Sequence, residues 1–457
     1  MKYLFGGVLA LFLILYSVAL LTRDHKEQPG ITSIRWCTDA NPARTVQIAA
    51  FTRLNPTIEV VLDPGARQKL IVQCATGTGP DVIDMFNREE MVDYVASGIV
   101  LDLTEIARAK GFATENTYPA VREALTVEGR QYRFPCNVGA YGVIYNRAIF
   151  DDHGVPYPDE NWTYEQFVAA GRRILDTPSK SGEKHIPVAN WNSRLFFLDL
   201  LVGNGGQFFQ DHGTRSALDS PEAIEAMRMY HALMHEEHVL TTPAEASAMG
   251  SQGGWGAGGI NWFSAERAAM IFIGRWYLCQ APGYPALKGK LGAARLPRIG
   301  NRASTGLCGA RAAGINIKSR HRAEAVKFLQ YLATSEYGEL IVRDGDSLPP
   351  NPALAQTGNA LTNAFVGDPA FHQIFIDAVN AGRVLDSSPF ISPTQVMRWL
   401  DERIGLVENQ RLTPEAAMRS LAKEVNETIR GSLERRPDLQ RKYQKVTGNA
   451  YRSDWWK

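Results

Sequence analysis

Three histidines on one helix and three pairs of neighbouring carboxylates are the residues of this sequence best placed for catalysis, and neither group completes a catalytic pattern. His231, His235 and His238 share one side of a helix by their four- and three-residue spacings, and imidazoles so spaced can chelate zinc. The metalloprotease order His-Glu-x-x-His is missed, because His235-Glu236-Glu237-His238 is one residue short. These histidines flank the apolar stripe of Ile224, Met227 and Tyr230, so a partly exposed helix face is the plainer reading. Glycosidic hydrolysis needs two carboxyl groups facing each other across a cleft. Glu89-Glu90, Asp151-Asp152 and Glu236-Glu237 are adjacent, and adjacent residues on a helix point different ways, which makes solvated faces of them. No Gly-x-Ser-x-Gly elbow is present. The glycine-rich run 250–259 lacks Gly-Lys-Ser/Thr and so is no phosphate loop. It reads either as a cleft loop carrying Trp255 or as a plain surface loop.

Cys37, Cys74, Cys136, Cys279 and Cys308 are widely spaced and contain no C-x-x-C pair, which excludes a zinc ribbon or a thioredoxin motif. Small buried residues are the expectation for them. No metal or cofactor is expected. The chain carries 49 basic and 48 acidic residues, and neither a net charge of +1 nor any Lys/Arg block provides a track for nucleic acid.

The elements that must position any site come from 457 residues, enough for two domains of roughly 150–250 residues each. Residues 1–26 stand apart: Lys2 precedes an uncharged, mostly apolar run from Leu4 to Leu21, and Arg23 to Lys26 follow it. That run exceeds the h-region of about 7–15 residues in a signal peptide and sits at the lower edge of a membrane span. Export is expected, with the segment either cleaved as a signal peptide or kept as an N-terminal membrane anchor. Beyond it, strands are expected at 31–36, 58–62 and 81–85, with helices at 41–54 and 66–75 between them. This order predicts a parallel sheet covered by helices, whose ligands bind beyond the carboxyl ends of the strands. Further strands are expected at 142–145, 269–273 and 314–317. Ser220-Pro221 and Thr413-Pro414 carry helix-start chemistry, an N-cap hydroxyl followed by proline at the first helical position. After about 340 the chain reads as mainly helical.

A set of short segments adds a resemblance. The first half carries Phe51 with Asn55-Pro56-Thr57-Ile58-Glu59-Val60, then Ala75-Thr76-Gly77-Thr78-Gly79-Pro80-Asp81-Val82 and Ser97-Gly98-Ile99-Val100-Leu101-Asp102-Leu103. Tyr145-Asn146-Arg147 follows, with Phe150, Gly154 and Trp162-Thr163. Later, Glu266-Arg267-Ala268-Ala269-Met270 leads to Gly274-Arg275-Trp276, then Leu296-Pro297, then Gly314-Ile315-Asn316-Ile317 with Ala325, Phe328 and Leu329. In order and spacing, from residue 31 to about 340, the chain resembles extracellular solute-binding proteins of the sugar ABC-importer family, maltose-binding-protein-like, family 1. The resemblance implies an α/β, two-lobed periplasmic-binding-protein type II-like fold with a hinge between lobes and a mainly helical C-terminal region. Crossings are implied near 139–142, 296–297 and 333. They divide the chain into a first lobe of 31–142 plus 297–333 and a second of 143–296 plus 334–457.

The function implied is extracytoplasmic capture of a carbohydrate by a monomer at the periplasmic or extracellular face of the cytoplasmic membrane, and its delivery to an ABC permease. A secreted carbohydrate-active or metal-dependent enzyme is the alternative from a different class. A membrane-tethered sugar sensor subunit would keep the fold and change the role. A pyranose site needs aromatic plates for the C–H faces and polar side chains for the hydroxyl edges. By position in the family, Trp276 is the main plate with Tyr277 beside it, Trp191 and Asn192 sit in a contact loop, and Trp399 lies where some members supply a C-terminal aromatic. Trp36 and Asp39 end the first strand, and Asp84 and Asn87 stand at the end of the third, facing the same space if the sheet is parallel. Asn137 and Tyr141 lie by the first crossing and Arg343 just beyond the third. Trp255 completes the candidate set, and core packing is the plain alternative for each aromatic.

Overall fold

The computed structural model describes residues 29–180, 182–248 and 258–456. Trp255 and the apolar N-terminal run lie outside the described residues. No helix among the described residues is long and apolar enough to cross a membrane.

Strands β1 (Thr32–Cys37), β2 (Ile58–Leu62) and β3 (Val82–Met85) run parallel with β1 in the middle. The strand–helix–strand order requires this, since each helical crossover returns the chain in the same direction. Helix α1 (Ala43–Leu54) is the first crossover, and it stops where Asn55 precedes Pro56. The expected helix at 66–75 is divided. The Asp63 side chain accepts the Ala66 N–H and starts a 3₁₀ turn over Pro64–Lys69, and the α-helix covers only Leu70–Thr76.

Strands β4 (Phe134–Asn146), β5 (Ile186–Ala189), β6 (Ala268–Gly274), β7 (Leu291–Ala294) and β8 (Cys308–Ile315) complete an eight-stranded mixed sheet. Its order is β2-β1-β3-β8-β4-β6-β5, with β7 also paired to β4. The 13-residue β4 is far longer than the strand expected at 142–145. Its first part, Phe134 to Ala140, pairs with β8, and its second, Tyr141 to Asn146, pairs with β6 and β7. One strand therefore serves both halves of the sheet.

The helices that matter for the site are α2 (Arg88–Ala96), α3 (Ser193–Gly203), α4 (Pro221–His235), α5 (Arg322–Leu332), α6 (Ser335–Asp344), α7 (Pro369–Ala381), α8 (Pro393–Glu408), α9 (Pro414–Arg435) and α10 (Pro437–Thr447). The expected starts of α4 and α9 are present: Ser220 Oγ accepts the Ala223 N–H and Thr413 Oγ1 accepts the Ala416 N–H. Ile34, Phe51 and Phe328 form one core, and α6 adds Tyr337 and Ile341 to it. The boundary expected at 333 thus falls inside this packing group, not at its edge. A second core joins Phe196, Tyr230, Met418 and Leu421 under α3, α4, α8 and α9. All five cysteines are free, four buried and Cys279 half-buried.

Asp199 on α3 is a buried carboxylate that accepts the Leu307 N–H (2.8 Å) and so fastens the segment leading into β8. Burial pushes its pKa up to about 7, against the pull of that N–H. The folded protein thus holds a proton that the unfolded chain releases near pH 4. The stability this proton contributes is present below about pH 4 and is lost as pH rises to about 7. Asp199→Asn keeps the acceptor for Leu307 and removes the ionisation. Urea unfolding at pH 4 and at pH 8 is expected to show the variant gaining a few kcal/mol on the wild type at the higher pH only, since each pH unit between the unfolded and folded pKa is worth about 1.4 kcal/mol. An equal difference at both values would show that Asp199 ionises as freely folded as unfolded.

Candidate functional site

A cavity of about 450 Å³ opens at the middle of the sheet, where β4 passes from one half to the other. Its aromatic wall comes from the second half. Trp276 follows β6 and Trp191 precedes α3, and their rings meet edge-to-face with centroids 5.2 Å apart at 75°. Tyr141 on β4 stands 6.5 Å from Trp191. The Trp191 Nε1–H donates to the Phe272 carbonyl at 2.5 Å, which fixes the ring's tilt. Gly274 makes room for the other ring: a Cβ there would stand 2.8 Å from Trp276 Cδ1 and 2.9 Å from its Nε1.

The floor comes from the first half and is charged. Asp346, buried in the loop after α6, accepts from Arg44 Nη1 (2.6 Å), Gln47 Nε2 (3.4 Å) and Asn137 Nδ2 (2.9 Å). Arg44 Nε also donates to Asp39 at 2.8 Å. Arg311, alone among the small and apolar residues of β8, pairs with Asp84 and stands 3.6 Å from Asp346. Burial opposes ionisation of Asp346, but Arg44 and Arg311 outweigh it and hold the carboxyl below the usual carboxylate range. Arg133 closes one end, donating to the carbonyls of Ala124, Met85 and Asn87, and burial lowers its pKa to about 10. Glu89 also lines the cavity, and burial pushes its carboxyl up.

Seven of the candidate residues meet here: Trp276, Trp191, Asn192, Tyr141, Asp39, Asn87 and Asn137. Asn87 and Asn192 also cap α2 and α3, accepting the Glu90 and Leu195 N–H groups. Five others do not line the cavity. Trp36 is fully buried against Phe328, and its Nε1–H donates to Asp84 at 2.6 Å, because strand alternation turns it into the core. Asp84 is likewise buried, acting through Arg311. Tyr277 points away from its neighbour into the core, where its hydroxyl shares a hydrogen bond with Ser264. Trp399 packs in the core around α8 and α9, and Met397, two residues earlier, faces the cavity instead. Arg343 is exposed and paired with Asp344 on another groove. Trp255 lies outside the described residues.

Sequence reasoning missed Arg44, Arg311 and Asp346, and it read Glu89 as a solvated face. A lone charge inside the run Cys308-Gly309-Ala310-Arg311-Ala312-Ala313 was the available signal. The histidines at 231, 235 and 238 are not among the lining residues: His235 bonds the Glu408 carbonyl and stacks on His231. Asp152, His153 and His185 bring potential metal-ligand atoms within 4.8 Å of one another. Their groups are spent locally, the imidazoles on each other and the carboxylate on Ser179 and the Lys180 N–H.

Comparison with known proteins finds the same fold. A family model described as bacterial extracellular solute-binding protein matches residues 38–339. A binding protein of Brucella abortus is 25% identical over 344 residues, 72% of this chain and 77% of that one. An ABC substrate-binding protein of Listeria monocytogenes, solved in complex with cycloalternan, superposes with a TM-score of 0.73 at 22% identity, covering 87% of this chain and 99% of its own. A solute-binding protein of Thermotoga lettingae bound with α-D-tagatose gives a TM-score of 0.72 at 19% identity, covering 87% and 100%.

The Gly274–Trp276 contact is open to a direct test. Gly274→Ala is expected to cost about 1–3 kcal/mol in urea unfolding, the usual penalty for overpacking. In a Trp276→Ala background most of that cost should vanish, since the ring that the new methyl strikes is gone. Additive costs in the double variant would show that Gly274 is needed for another reason.

Proposed function

The chain belongs to the bacterial extracellular solute-binding protein family, and on that premise we propose that it captures a carbohydrate outside the cytoplasmic membrane and delivers it intact to an ABC permease. The observation that carries this reading is the pairing of an aromatic wall from one half of the sheet with a hydrogen-bonding floor from the other. Aromatic faces suit the C–H faces of a sugar ring, and fixed polar groups replace water at its hydroxyls. The ligands of the Listeria and Thermotoga proteins support a carbohydrate.

We take the lobes as 31–142 with 297–333 and 143–296 with 334–457, except that α6 and the loop carrying Asp346 go with the first lobe, since α6 packs on the first core and Asp346 bonds to Arg44 and Asn137. They close about the middle of β4. In the described arrangement α2 of the first lobe touches the start of α8: Asp93 accepts from Ser392 Oγ (3.0 Å) and the Thr394 N–H (3.3 Å). A carboxylate at a helix N-terminus is favourable, so this contact stabilises the arrangement described. The matching family is one of binding proteins, which supports a role of binding without catalysis. The N-terminal apolar run serves as export signal or anchor.

A thermal-shift screen of the purified chain against mono- and oligosaccharides tests the reading. Ligand that binds only the folded state adds RT ln(1 + [L]/Kd), so a micromolar sugar at millimolar concentration should shift Tm clearly. The bound sugar should be recovered chemically intact. Trp276→Ala should then weaken binding by roughly 1–3 kcal/mol, the cost of stripping an aromatic anchor. A panel without any shift, or a sugar recovered cleaved, would overturn the assignment.

A further inference from the structure

Among the described residues that line the cavity, the buried polar side-chain atoms that lack a hydrogen-bond partner are all guanidinium donors: Nε and Nη2 of Arg311 and Nε of Arg88. Arg311 is 7% exposed. Its Nη1 is satisfied by Asp84 and by Thr38 Oγ1, whereas Nη2 lies beyond hydrogen-bond reach of Asp346. Leaving charged donors buried and unmade is unfavourable, so these atoms call for a partner. Nε and Nη2 form one edge of the planar guanidinium, and a planar two-oxygen acceptor matches that edge in a bidentate pair.

Acceptors on the floor, by contrast, each already have a donor. Asp346 takes Arg44, Gln47 and Asn137, and Asp39 takes Arg44. The side-chain oxygens of Asn87 and Asn192 cap helices. Burial pushes the Glu89 carboxyl up, which weakens it as a charged acceptor. A sugar hydroxyl accepts through one uncharged oxygen and also brings a proton to place, while a carboxylate brings two charged acceptors in one plane. Charge agrees: five arginines and three carboxylates line the cavity. Arg88 and Arg194 find their carboxylate partners on Glu123 and Asp401, which are 75% and 49% exposed and so weakened by solvent and salt.

We propose that the ligand is an acidic saccharide, whose uronate-type carboxylate takes the Nε/Nη2 edge of Arg311 while Trp191 and Trp276 hold its rings. The inference rests on the carbohydrate reading of the same cavity and narrows it to a substrate class. A sulfated or phosphorylated sugar is a different oxyanion, tetrahedral in place of planar.

Titration calorimetry of the full chain with oligomers of galacturonate, glucuronate, mannuronate and guluronate, with their methyl esters, and with neutral and sulfated oligosaccharides separates the cases. One uronate series is expected to bind on the order of tenfold or more tighter than its methyl ester, which has the same rings and no charge. Its affinity should fall as salt rises. Arg311→Lys keeps a cation against Asp84 but removes the planar edge, and should erase most of the preference for acid over ester. Should that variant fail to fold, Arg311→Met with Asp84→Asn removes both charges together and puts the same question. Equal binding of acid and ester, or binding of neutral or sulfated sugars alone, overturns the acidic-ligand inference and leaves the carbohydrate assignment standing. Silence across the whole panel overturns both.

Discussion

The floor of the cavity depends on Asp346, a carboxylate buried between two guanidinium groups. Arg44 reaches it from a position 302 residues earlier in the chain, Asn137 from the middle of β4, and Arg311 from β8. Taking such charges out of water is expensive, and only close opposite charges and full hydrogen bonding offset the cost. Removal of one partner from such a buried set typically costs about 3–5 kcal/mol, so its members are not independently adjustable. The start of α1, the middle of β4, β8 and the loop after α6 are therefore one rigid surface. The loop is bent sharply to present the carboxylate, since Gly345 and Ser347 on either side of Asp346 both have positive φ. Beyond it, Val138 and Leu348 exchange backbone hydrogen bonds of 2.9 and 2.8 Å, which zips this return of the chain onto β4.

Strand β4 transmits that rigidity and also sets where it ends. Phe134 and Cys136 belong to the core around Trp36 and Phe328, Val138 and Ile144 to the core under α7, and Val143 and Tyr145 to the core under α3 and α4. Three packing groups thus share a single strand, and its partners change between Ala140 and Tyr141. Rotation of one half of the sheet against the other concentrates at this change of partners, because neither neighbouring ladder is continuous through it. The cavity lies beside it. Because the wall and floor of the cavity stand on opposite sides of this change of partners, rotation there alters the distance between Trp276 and Arg44 and so couples occupancy to shape.

Much of this was legible in the sequence where local chemistry decides structure. The parallel order of β1 to β3 follows from alternating strand and helix, and the starts of α4 and α9 follow from Ser220-Pro221 and Thr413-Pro414. Other features depend on partners far away in sequence. β4 contains Pro135, Gly139 and Gly142, residues that weaken any strand pattern, and only its neighbours on both sides hold it extended. Trp36 lies within β1, where alternation sends it to the core, whereas Asp39 lies two residues past the strand's end, at the cavity. Near the C-terminus, where the resemblance fades, the choice between Trp399 and Met397 turned on helix phase, which α9 sets by packing against α8. Glu89 is adjacent to Glu90 and looked equally solvated. Glu90 instead accepts the Phe86 N–H and pairs with Arg67, while Glu89 is left facing the cavity.

The division of the site between an apolar wall and a charged floor has its own consequence for control. A ligand on the floor alone meets donors but leaves its ring faces in water, and a ligand on the wall alone leaves its polar edge unpaired. Only the closed arrangement satisfies both surfaces, so the ligand's affinity for closed over open is the sum of what the second surface adds. The contact of Asp93 with the start of α8 favours the described approach of the two halves without a ligand. That contribution has to stay modest. A half-buried carboxylate at a helix terminus supplies about 0.3–2 kcal/mol, enough to favour this contact and too little to hold the cleft shut against release. The buried charges around Asp346 are thus kept within one lobe, where they make the floor rigid. The contact that must break on each cycle is instead a weak one at the rim.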